Sequence, residues 1–183
     1  MGPGVLTLRD SAHVELSLAN AIGSARHGNG MAGVVARSSM RRVREDGTEV
    51  VVRCQEDPGV FVRLTDCHPL DEYRLAFRVE VQAEGLCART DTVVAEWYDD
   101  LTHFVEGLAA DFRGWEGARV WQANRVELSA VFRSRGHVCL KWTLRGATLA
   151  DAWEVSIETW QEAGEQMKAL AADIRDFLHR PPA

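Results

Sequence analysis

Cys67 and His68 stand side by side just before Pro69, the one place where this chain sets a thiol next to an imidazole. Such a pair can begin a zinc site or an activated thiolate. Zinc needs further ligands, and Cys87, Cys139, His103 and His137 fall at none of the short spacings that closed sites use. Cys139 alternates with Val138, Leu140 and Trp142 and is expected to be partly exposed, with nothing beside it in sequence to lower its pKa. The chain carries no Ser-centred elbow, G-x-G-x-x-G, P-loop or H-E-x-x-H. Its many carboxylates read as solvation of strand and helix exteriors. The expectation is a protein with no metal, no cofactor and no catalytic residue, hence a binding protein and not an enzyme.

Two features remain as candidates for recognition. The stretch GWEGARVWQ (114–122) sets Trp115 and Trp121 six apart with Glu116 and Arg119 between them. It could form an aromatic platform or a cation–π pocket. The bland reading, favoured by the usual burial of tryptophan, is that both rings cap the core where the chain leaves a helix. The second feature is a set of polar strand faces of mixed sign. Arg125, Glu127 and Arg133 lie on one strand, Lys141 and Arg145 on the next, Glu154 and Glu158 on a third. They are either a solvated sheet face or a charged surface that docks a partner. The candidate partner-binding residues are therefore Trp115, Glu116, Arg119, Trp121, Arg125, Glu127, Lys141, Glu154 and Glu158.

The elements that must position these residues show in the hydrophobic period. EVVVRC (49–54) and GVFVRLTD (59–66) are β-rich runs around the turn signature Glu56-Asp57-Pro58-Gly59. Tyr73, Leu75, Phe77, Val79 and Val81 then alternate with polar residues, and Glu84-Gly85 turns the chain into a partner strand, 86–94. In 98–113, Leu101, Phe104, Val105, Leu108, Ala109 and Phe112 form one helical stripe, with Asp99 and Asp100 near its start and Gly114 at its end. The second half repeats the plan. Val126 to Phe132, Val138 to Leu144 and 152–159 are strands, Ser134-Arg135-Gly136 is a turn, and 161–178 is the closing helix before Pro181-Pro182. These elements predict an α+β fold: an antiparallel sheet of about six or seven strands in meander order, with two amphipathic helices on one face.

Offset by 62 residues, 92–113 and 154–175 share seven identities in 22 positions, including Leu108-Ala109-Ala110-Asp111 against Leu170-Ala171-Ala172-Asp173. Duplication of a meander-plus-helix unit would produce this. So would convergence on ordinary vocabulary for a helix laid on a sheet.

The chain of 183 residues is long enough for a substantial core, and its 46% apolar and 26% charged residues are those of a globular protein. Net charge is −6 and pI about 5.5. The one basic cluster, Arg37, Arg41, Arg42 and Arg44, runs straight into Glu45, Asp46 and Glu49. Nucleic-acid binding is not expected, because it requires a cationic surface to displace phosphate counterions. No apolar run reaches the roughly 18–20 residues of a membrane span. The first residues lack a basic region followed by an apolar core, so a cytoplasmic location with free thiols is expected. Residues 1–45, punctuated by Gly2-Pro3-Gly4, Gly23, Gly28-Asn29-Gly30 and Gly33, read as a mobile extension or an over-extended gene start ahead of a single domain at 46–180.

Gly114-Trp115-Glu116-Gly117, Trp121, Gly136-His137-Val138 and Ala163-Gly164-Glu165 together resemble the recurring words of a family of small uncharacterised actinobacterial α+β proteins. The resemblance spans about residues 50–178. The Gly-His-Val hairpin between helices is also similar to immunity proteins of the WapI type, which neutralise contact-delivered toxins. That resemblance implies a protein partner (a toxin) as the ligand, with a homo-oligomer as the other candidate partner, and supplies no catalytic residues. The competing expectation is a small-molecule-binding domain or an enzyme with a tryptophan-lined pocket between sheet and helices.

Overall fold

The computed structural model describes residues 49–96, 101–146 and 153–179. The expectations for residues 1–45, Trp97, Asp99, Asp100 and Pro181-Pro182 lie outside the described residues. Eight strands and two helices follow in the order β1 (Glu49–Arg53), β2 (Phe61–Pro69), β3 (Arg74–Ala83), β4 (Leu86–Glu96), α1 (Leu101–Ala110), β5 (Ala118–Gln122), β6 (Val126–Arg133), β7 (His137–Arg145), β8 (Glu154–Glu162) and α2 (Glu165–Leu178). All strand pairs are antiparallel, so the fold is α+β as the sequence predicts.

The strands do not make one sheet. They form two four-stranded meanders, β1-β2-β3-β4 and β5-β6-β7-β8, each followed by a helix. The hydrophobic period does not reveal β5, which occupies 118–122 inside the stretch GWEGARVWQ. The first helix also ends earlier than its stripe suggests: Phe112 lies beyond α1 and is 50% exposed.

Period-two alternation fixes which face each strand buries. Val62 and Leu64 on β2 and Leu75, Phe77, Val79 and Val81 on β3 point inward, while Arg63, Arg78 and Glu80 point out. In the second sheet Leu128, Leu140, Trp142 and Ile157 are inward and Ser129, Lys141 and Glu158 outward. Turn chemistry sets the register. Gly85 (φ 69°) closes β3–β4, and Arg135 with Gly136 (φ 69° and 74°) closes β6–β7, where two successive left-handed residues suit the strand twist.

The inward faces, α1 and α2 share one core whose fully buried members include Trp142, Phe77, Leu64, Leu108, Leu170 and Ile174. Each such side chain contributes about 1.5–3 kcal/mol by leaving water. Trp142 keeps its indole N–H satisfied there by donating to Thr159 Oγ1 at 3.2 Å. Phe177 of α2 meets Phe77 of β3 edge-on at 6.0 Å, and Arg175 of α2 pairs with Glu106 of α1.

The two halves meet in reciprocal pairs: β3 against β8, β4 against β7, and α1 against α2, the pattern a local two-fold generates. Leu108 and Leu170 are both buried, as are Ala109 and Ala171, so the repeated phrase presents the same face to the core in both halves. One seam breaks the symmetry. Past β1, Gln55 N–H donates to Trp160 C=O at 3.0 Å, and Gln161 Nε2 donates to Arg53 C=O at 2.5 Å, tying β1 to β8. At the counterpart seam no main-chain hydrogen bond joins β4 to β5 among the described residues. Asn124, just after β5, bridges it by accepting the Val94 N–H on its side-chain oxygen at 2.9 Å.

Candidate interaction surface

The outward face of the β5–β8 sheet is built by register. Ser129, Lys141 and Glu158 are cross-strand neighbours, as are Glu127, Thr143 and Ser156, and Arg145 lies opposite Glu154. Arg145 is the centre of this surface. Its Nε donates to Glu154 Oε2 at 2.9 Å and its Nη2 to Glu127 Oε2 at 3.4 Å, bridging β6, β7 and β8. Beside it the Thr143 and Ser156 hydroxyls share a hydrogen bond at 2.8 Å.

Lys141 and Glu158, directly opposite and both exposed, do not pair. Glu158 turns instead to the thiol of Cys139. Burial, with the Glu158 charge and hydrogen bond added, pushes that thiol up to about 12. Cys139 is thus 4% exposed and protonated, not the partly exposed thiol expected from its alternation. Its neighbour Trp160 is half-buried over it on β8, opposite in register. Among the described residues Lys141 Nζ has no carboxylate within 4.0 Å.

The outward face of β1–β4 is also charged, but it neutralises itself. Arg63 lies near Glu49 and Glu80 (3.6 and 3.9 Å), Arg78 pairs with Asp66 and Asp91, and Arg89 with Asp91 at 3.1 Å.

The remaining candidates fall elsewhere. Gly114 (φ 112°) packs so closely on Phe132 that a Cβ there would lie 2.8 Å from the ring. That approach seats Trp115 edge-on against Phe132 at 5.4 Å, and Arg119 lies over the Trp115 ring at 4.7 Å while its Nη2 meets Asp111 at 2.6 Å. This cation–π pair sits at the edge of the inward side of the sheet, away from Lys141 and Arg145. Trp121 belongs to the core at 7% exposure and makes no platform with Trp115. Glu116 is exposed in the bend between them. Arg125 caps the end of the sheet, its Nη1 donating to Gly146 C=O at 3.1 Å. Four of the nine candidates, Glu127, Lys141, Glu154 and Glu158, therefore share one surface. Arg145, which joins them, was visible as a charge on the same strand face, but its bridging role depends on side-chain reach.

Among the described residues no three His, Cys, Asp or Glu side chains gather as metal ligands. Burial raises the Cys67 thiol to about 11, and His68 Nδ1 is occupied by Asp66 C=O at 2.8 Å. No described helix is long and apolar enough to cross a membrane.

These observations define a two-meander α+β domain with a mixed-charge sheet face on β5–β8. The chain belongs to the family of unknown function DUF6228, which it matches over residues 53–181. Comparison with curated proteins and with solved structures found no match.

Proposed function

We propose that the domain is a non-catalytic, cytoplasmic protein-binding module that docks a partner on the outward face of β5–β8, with toxin neutralisation as its concrete form. The observation that carries the reading is Lys141. It is an exposed cation on a flat strand face whose opposite carboxylate is engaged by Cys139, beside an Arg145 already fixed between Glu127 and Glu154. On docking, a partner carboxylate seated against Lys141 would meet an ammonium that makes no ion pair with another described residue, which favours specificity for a carboxylate-bearing surface. The similarity of the Gly136-His137-Val138 hairpin to WapI-type immunity proteins supports the same reading.

The test is protection. The reading requires a toxin gene immediately upstream, and that toxin is expressed in cells with the wild-type chain or with Lys141→Glu. Protection by wild type and its loss with Lys141→Glu, at equal folded protein, is expected. A metabolic operon upstream, or full protection by the variant, overturns the proposal. The competing small-molecule reading rests on Trp115, whose buried Nε1 has no acceptor beside the Arg119 guanidinium. Trp115→Phe would abolish binding in that case and leave toxin protection intact in ours.

A further inference from the structure

The β6–β7 hairpin turns on Arg135 and Gly136, at φ 69° and 74°. Such turns favour Asn or Gly at the first position, because an L-residue with a long side chain is strained there. Arg135 keeps that strain while its exposed guanidinium forms no ion pair among the described residues. Arg133, at the end of β6, is likewise exposed and without an ion pair, and it stands directly opposite His137. A carboxylate opposite Arg133 would favour pairing of the two strands, and a second basic side chain does not. Two departures from local preference at one exposed hairpin, both basic, in a chain of net charge −6, point to a role outside the fold.

This hairpin belongs to the outward face of β5–β8. Register sets three rows across it: Arg133 with His137, then Val131 with Cys139 and Trp160, then Ser129 with Lys141 and Glu158. An apolar row, with Val131 and Trp160 half-buried, thus lies between a row carrying Arg133 and a row carrying Lys141. His137 and Lys141 are four residues apart on β7, which places the two basic rows roughly 14 Å apart. We infer that this half of the face is a subsite for an acidic protein segment, which seats an apolar side chain on Val131 and Trp160 and a carboxylate on either side, one against Arg133 and Arg135 and one against Lys141. An extended segment with two acidic residues four apart and an apolar residue midway presents all three on one face at that spacing. The carboxylates of the face favour such a segment over nucleic acid. Glu162 and Glu158 stand on β8 at the end of the two basic rows, where a continuous phosphate backbone would meet them. The inference rests on the docking role proposed for this face and names the chemistry of the segment that docks; it does not need that segment to belong to a toxin.

Titration of the full 183-residue chain, followed by heteronuclear NMR, tests it with the peptide Thr-Glu-Thr-Leu-Thr-Glu-Thr, its counterpart with Lys for Glu, and a short oligothymidylate. Near-ultraviolet circular dichroism confirms that each variant is folded. The acidic peptide is expected to shift the amides of Val131, Arg133 and Lys141 and the indole of Trp160, and to lose affinity as salt rises. Arg133→Glu and Lys141→Glu each weaken it about five-fold or more. Arg135→Gly separates recognition from folding: it removes the guanidinium and the strained backbone together, so it weakens the peptide without lowering the urea midpoint. No binding of the acidic peptide, equal binding of the lysine peptide, tighter binding of the oligothymidylate, or variants that bind like wild type overturn the inference. A peptide that fails to bind while Lys141→Glu still loses toxin protection removes this subsite and leaves the docking role. A peptide that binds a chain giving no protection removes the toxin and leaves the subsite.

Discussion

Replacing Gly114 by alanine isolates one cause of the geometry around Trp115. Two terms act at this position. An L-residue at φ 112° is strained regardless of space, at a cost of roughly 1–2 kcal/mol. The new methyl would also lie 2.8 Å from the Phe132 ring, and relieving such overpacking costs about 1–3 kcal/mol. Together they predict a loss of roughly 2–5 kcal/mol. Gly117, three residues on, supplies the control. It too has positive φ, 75°, but a methyl added there would meet nothing within 4 Å. Gly117→Ala should cost only the backbone term, about 1 kcal/mol. Urea unfolding of both variants reads the difference directly, and for a chain of this length each kcal/mol also lowers Tm by about 2–4 °C. Trp115 is displaced in the first variant only, so its fluorescence shifts in Gly114→Ala and not in Gly117→Ala. Equal losses for the two variants would refute the reasoning, because they would leave no role for the Phe132 contact.

Three further outcomes follow from the same structure. In native protein at pH 8, a disulfide reagent should modify exposed Cys87 rapidly, while Cys139, raised to about 12, and Cys67, raised to about 11, stay protonated and slow; urea should make all four thiols equally fast. Arg145→Met leaves Glu127 and Glu154 without their shared cation, and because the side chain is 29% exposed the loss should be about 1 kcal/mol in low salt and smaller at 1 M salt. Trp142→Ala empties a site that is 1% exposed and orphans Thr159 Oγ1, so calorimetry should show a loss of about 3–5 kcal/mol.

Most of the fold was legible because each long strand hides one face and solvates the other. Leu75 to Val81 and Val138 to Leu144 alternate so cleanly that only one register buries them. β5 was not legible because its pattern is reversed: Val120 is the residue turned to solvent, while Arg119 points to the core side and is satisfied by Asp111 and Trp115. The division into two sheets was hidden for another reason. The β1–β8 seam joins residues more than a hundred positions apart through a glutamine side chain and one main-chain bond, and neither leaves a periodic trace. The charged face was half legible. Alternation placed Glu127, Lys141, Glu154 and Glu158 together, yet whether Glu158 neutralises Lys141 or turns to Cys139 is decided by rotamer and burial.

The Arg53–Gln161 hydrogen bond spans 108 residues, and this has a consequence for synthesis on the ribosome. At about 5–20 residues per second, the first meander, complete at Glu96, waits roughly 3–13 seconds before Trp160 and Gln161 emerge to shield the edge of β1. Throughout that interval Val50 and Val52, buried in the finished protein, sit on a strand with one open side. The nascent half-protein is therefore the form most exposed to aggregation, and slowing translation of β5–β8 should lower soluble yield without changing the stability of the protein that is recovered.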